Sequence, residues 1–168
     1  MSEAKQKILD CADALGLTMT AEFVPWSQSR NKSEKSPSLN WRVTLHRSGR
    51  DILTTDYMAG CGHCPSYTQS KQSVDQANAV RHECETGRAL GVGKKLLPDL
   101  ADVMHSLSLD ASVIDCPTYE EWASETGYDP DSRKGEAIYR QCLEIALKLR
   151  AAIGEDGLRQ LAEACQDY

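Results

Sequence analysis

The sequence predicts an α+β fold: an N-terminal helix with a small antiparallel β-sheet, followed by a helical C-terminal half. Three observations carry this expectation. Apolar residues fall at helical spacing over residues 3–15, Trp41-Arg42-Val43-Thr44-Leu45-His46 alternates between apolar and polar, and apolar positions recur every three or four residues from about residue 73 onward.

The first helix is read from Ile8, Cys11, Ala12 and Leu15, with Gly16 as its stop. Thr18–Val24 is β-prone and ends at Pro25, and a strand over 41–46 is joined by the turn Arg47-Ser48-Gly49-Arg50 to a returning strand from Asp51 to Tyr57. Between the first two strands, residues 27–38 contain no apolar side chain to offset the entropy of ordering, so a hairpin loop is expected there. Its Arg30, Lys32 and Lys35 beside Trp26 and Trp41 could alternatively form a nucleic-acid arm. Val74, Ala77, Val80 and Cys84 share one face of a helix over about 73–88, Gly91, Gly93 and Pro98 interrupt the chain, and a helix follows around 99–107. Thr118-Tyr119-Glu120-Glu121 reads as a capping box for a short helix that Gly127 closes. Asp129-Pro130-Asp131 is expected to open the longest helix, with Pro130 at its first position and a stripe of Ile138, Cys142, Ile145, Leu149 and Ile153. Leu158, Leu161 and Cys165 mark a last helix after a Gly154–Gly157 turn.

Composition bounds the class. The chain has 168 residues, 40% hydrophobic and 26% charged, which fits one globular domain divided into helix plus strands (1–60), a Cys-containing loop and helix (61–98) and an acidic helical part (99–168). At this length folding removes roughly 70% of the unfolded surface from water, so neither disulfide nor metal is needed to fold. No apolar run approaches the roughly 20 residues of a membrane span, and no signal-peptide core follows the polar opening, so a cytoplasmic protein without membrane attachment is expected. Seven Cys, an odd number, argue against a disulfide framework.

Charge is unevenly placed. Residues 1–60 carry 8 Lys/Arg against 7 Asp/Glu, residues 61–117 carry 5 against 7, and residues 118–168 carry 6 against 11, so most of the net −6 lies at the C-terminal end. Such a chain is repelled by bulk nucleic acid and attracted to basic surfaces. Glu120, Glu121, Glu125, Asp129, Asp131 and Glu136 are therefore the candidate partner-binding residues. The same carboxylates also suit helix N-termini, where the positive end of the dipole favours them.

The sharpest local motif is Cys61-Gly62-His63-Cys64, followed by His82-Glu83-Cys84. Cys61 and Cys64 with His82 or Cys84 could form a zinc site, although residues 82 and 84 point about 200° apart on a helix and cannot both serve one ion. Cys-Gly-His-Cys also resembles the active site of thioredoxin-like disulfide isomerases, but only over these four residues, and helices follow where that fold needs strands. A zinc deaminase would need its H-x-E before P-C-x-x-C, which is the reverse of the order here. Gly91-Val92-Gly93-Lys94-Lys95 fails as a phosphate loop because Lys95 stands in place of Ser/Thr and a helix precedes it. None of the four His lies in a catalytic motif, and no catalytic residues are assigned.

The run from Tyr119 to Ile145, with Thr54-Thr55-Asp56-Tyr57 and His63-Cys64-Pro65 upstream, resembles small uncharacterised proteins encoded by bacteriophages and prophages, over most of the chain from about residue 41. Phage proteins of this size and charge, anti-CRISPR and other anti-defence proteins among them, often bind a host protein. The resemblance therefore implies an inhibitor of a host defence or nucleic-acid-handling complex that acts by stoichiometric protein–protein interaction, more a binder than an enzyme; no cofactor is expected, and the acidic charge argues against direct nucleic-acid binding. Two alternatives stay open: a zinc-binding or thiol-redox module around Cys61 and Cys64, and an assembly factor that self-associates, as a homodimer in the simplest case.

Overall fold

A computed structural model describes residues 2–24, 39–59 and 98–168. Its order is α1 (Glu3–Ala14), β1 (Leu17–Val24), β2 (Leu39–Arg47), β3 (Arg50–Ala59), α2 (Leu100–Ala111), a 3-10 turn (Ser112–Asp115), α3 (Tyr119–Thr126) and α4 (Arg133–Cys165). The three strands form one antiparallel sheet in the order β1-β2-β3, so the α+β class is observed as the sequence predicts. The expected loop at 27–38, the helix over about 73–88 and the breaks at Gly91 and Gly93 lie outside the described residues.

The chain divides into two compact units, one of Met1–Thr18, Leu45–Leu53 and Leu100–Tyr168, the other of Met19–Thr44 and Thr54–Asp99. In the first, α2 packs against α1 and α4, and α1 against α4. Its core holds Ile8, Leu45, Met104, Leu107, Leu149 and Leu161, each at most 2% exposed. Fully burying side chains of this size stabilises by about 1.5–3 kcal/mol apiece. In the second, Val24 and Val43 are buried, and on the other face of the hairpin the Thr44 and Thr54 hydroxyls meet at 3.0 Å and Arg42 pairs with Asp56 at 3.4 Å.

Local chemistry explains the element ends. The Ser2 hydroxyl accepts the Lys5 N–H at 3.3 Å, and Gly16 leaves α1 with φ +68°. The hairpin turn is shorter than the expected four residues: Ser48 and Gly49 alone form it, both at positive φ, which matches the twist of the flanking strands. His46 meets Asp51 at 2.8 Å beside this turn, while Thr44 faces Thr54 and Leu53 is buried. The alternation of faces along β3 therefore slips by one residue between Asp51 and Thr54, as a β-bulge requires.

Two helix starts need comment. Thr118 caps α3 as expected, its hydroxyl accepting the Glu121 N–H at 3.2 Å, and Gly127 ends the helix in the left-handed conformation. Pro130, however, is not the first residue of α4. Ser132 is the N-cap, its hydroxyl accepting the Gly135 N–H, and Pro130 sits in the preceding turn, because a hydroxyl cap two residues on satisfies a helix donor that Pro130 cannot. The expected turn over Gly154–Gly157 is also corrected: only Gly154 is non-helical, at φ +76° and ψ 175°, and the helix resumes at once with Gly157 buried inside it.

Candidate functional site

Glu120 and Glu121 stand in the first turn of α3 and Glu125 in its last, Asp129 and Asp131 lie in the connecting turn, and Glu136 is in the first turn of α4. All six are exposed, so the structure brings the predicted residues together along one helix–turn–helix. They are held there by an aromatic cluster that the sequence reading missed. Trp122 is 6% exposed and has its ring centroid 5.2 Å from Tyr128, 5.5 Å from Tyr139 and 6.2 Å from Tyr119, with the Tyr128 ring nearly parallel. The Tyr119 phenol donates to the carbonyls of Ser132 at 3.2 Å and Asp129 at 3.4 Å, tying the turn to α3.

Electrostatics divides the carboxylates into two groups. Around Tyr119, burial and then the charges of Glu136, Asp129, Glu120 and Asp131 push the phenol pKa up, so it stays a neutral donor. Around Cys116, burial, then Glu125 with the Sγ–Oε2 contact of 3.4 Å, then Asp115 and Glu121 push the thiol up. Cys116 is therefore suppressed as a nucleophile, and Asp115 joins the acidic set. The signal for the aromatic cluster was present in the i, i+3 spacing of Tyr119 and Trp122, and Asp115 joins the acids around Cys116 as its neighbour in the chain.

Residues 115–136 hold seven carboxylates against two cations, Arg133 and Lys134. Three of the six predicted acids have local partners that draw on their charge. Glu136 pairs with Arg140 at 2.5 Å, Asp129 accepts the Asp131 N–H at 3.0 Å, and Glu125 accepts the Cys116 thiol at 3.4 Å. The rest are open to solvent and to any cation brought near. The candidate metal ligands Cys61, Cys64, His82 and Cys84 lie outside the described residues, and among the described residues no group of three or more His, Cys, Asp or Glu is placed to hold a metal. No described helix is long and apolar enough to cross a membrane.

No known protein family, curated protein or solved structure matches this chain.

Proposed function

We propose that this chain is a non-enzymatic binding protein that docks the acidic helix–turn–helix of residues 115–136 on a Lys/Arg-rich surface of a host defence or nucleic-acid-handling complex and inhibits it stoichiometrically. The observation that supports this is the set of seven carboxylates on a helix pair stiffened by Trp122, with only Arg133 and Lys134 among them. A pre-organised set of like charges speeds encounter with an opposite surface and fixes its register, and it loses little entropy on binding because the scaffold is already packed.

The test is capture from a bacterial lysate. The native chain is expected to retain a basic partner at low salt and release it at high salt, because the Debye length shortens as salt rises, from about 30 Å at 0.01 M to about 3 Å at 1 M ionic strength, and the attraction weakens with it. A variant with Glu120→Gln, Glu121→Gln, Glu125→Gln, Asp129→Asn, Asp131→Asn and Glu136→Gln should retain none. A native chain that captures nothing at low salt, or a neutralised variant that inhibits as well as the native one, would overturn the reading.

A further inference from the structure

We propose that a second site, independent of the acidic surface, binds the phosphate group of a small molecule in the groove between the β2–β3 turn and α4. This groove, of about 570 Å3, is lined by Arg47, Ser48, Arg50, Asp51, Ile52, Lys148, Ala151 and Ala152. Its size falls within the roughly 300–1,000 Å3 of small-molecule pockets. Three cations converge there in a chain whose net charge is −6. The one carboxylate among them, Asp51, is already held by His46 Nδ1 at 2.8 Å.

Arg47 makes the groove more than a cluster of surface charges. Its Nε donates to the carbonyl of Leu15 at 3.0 Å and its Nη1 to the carbonyl of Ala152, so the guanidinium is locked in orientation by the backbone. A guanidinium has five N–H donors, and these two contacts leave three. An oxyanion arriving in the groove meets a fixed fork and two exposed cations, Arg50 and Lys148, that can close on it. The pairing that Lys148 makes with Glu144 at 2.6 Å is an exposed i, i+4 contact, which is worth little and is readily exchanged. Ile52, Ala151 and Ala152 supply an apolar wall for an organic body attached to the phosphate. A small ligand fits this charge pattern better than a nucleic-acid strand, because three cations can neutralise one phosphate but cannot offset the repulsion between the whole acidic chain and a polyanion.

The experiment is a titration of the full chain, followed by the backbone amide resonances, with inorganic phosphate, pyrophosphate, adenosine monophosphate and, as the phosphate-free control, adenosine. The expected result is a saturable shift confined to residues 47–52 and 148–152 for the phosphate compounds, with none for adenosine. Arg50→Ala and Lys148→Ala, both at exposed positions, should each weaken binding by about tenfold or more, a loss easily resolved at millimolar affinity. Arg133→Ala, which removes the same charge elsewhere, should change it by less than about twofold. A stronger response to adenosine monophosphate than to inorganic phosphate supports use of the apolar wall, and an equal response supports a site for the phosphate group alone. The proposal is overturned if no phosphate compound gives a saturable shift at about 10 mM, a concentration that detects even weak sites. It also fails if adenosine shifts the same amides, or if Arg133→Ala costs as much as Arg50→Ala. Because none of these arms involves a protein partner, failure here leaves the acidic-surface reading untouched, and the reverse also holds.

Discussion

Asp110 and Cys142 show how a single part-buried contact carries a pH signature. The Cys142 thiol donates to Asp110 Oδ1 at 3.8 Å, and burial, then the Asp110 charge, pushes it up to about 11. Burial also raises the Asp110 carboxyl above its ordinary 3.8, the thiol contact opposing this in part. A carboxyl whose folded pKa lies above its unfolded value binds a proton that the unfolded chain has released. Its penalty is absent below 3.8 and accumulates as pH rises through the raised value. Asp110→Asn keeps an acceptor for the thiol and removes the charge, so the variant should melt higher than the native chain at neutral pH and alongside it at about pH 3. Thermal unfolding at the two pH values checks this.

Arg47 matters at the same scale for a different reason. Leu15 is the C-cap of α1, and Ala152 lies two residues before the non-helical Gly154, so both carbonyls are among those a helix end leaves without an intrahelical donor. One guanidinium serves both and places its charge at two negative dipole ends. A lysine can reach one carbonyl but cannot span two. Since hydrogen bonds to charged groups are worth about 1.5–3 kcal/mol, Arg47→Lys should lower stability by about that amount in urea unfolding.

Among the elements, α4 is the one whose continuity is conditional. Gly154 adopts φ +76° and ψ 175°, a conformation that only glycine enters without strain. The break lets residues 155–165 close on α1: a Cβ on Gly157 would come 2.8 Å from Ile153 Cβ and 3.3 Å from Leu15 Cδ2, which shows how closely the resumed helix is packed. Leu161 and Cys165 are then buried along with Leu149 and Ile153. Gly154→Ala has open space for its methyl group yet must hold a backbone it disfavours, so a loss of about 1–3 kcal/mol is expected. Amide exchange should localise the loss to residues 150–168. A loss spread evenly over β2 and β3 would contradict this account.

For the whole molecule, charge sets stability as well as recognition. Seven carboxylates with two cations over residues 115–136 repel one another in the free chain. Neutralising Glu120, Glu121, Glu125, Asp129, Asp131 and Glu136 together should therefore leave the melting temperature unchanged or raised at low salt. Any gain should shrink as salt rises, because screening weakens the repulsion progressively, the Debye length falling to about 10 Å at 0.1 M and about 3 Å at 1 M. Calorimetry across a salt series tests this without knowledge of any partner. A large loss of stability in the neutralised variant would mean that these groups serve the fold as caps and not a surface for binding.

The sequence by itself determined the α+β class, the first helix with its glycine stop, the alternating hairpin and the Thr118 cap, because these rest on periodicity and on contacts between residues close in the chain. It also grouped the six carboxylates, since a helix, a short turn and a second helix keep neighbours in sequence neighbours in space. Tertiary structure alone decided what depends on distant residues. Arg47 reads as a turn residue until two helix ends meet it, Trp122 reads as one apolar position until Tyr128 and Tyr139 pack on it, and Ser132 displaced Pro130 as the start of α4 once its hydroxyl found the Gly135 N–H. The physical reason is one of range: local propensity and capping act over three or four residues, whereas a guanidinium shared by carbonyls 32 and 105 residues away is fixed only by how the helices pack.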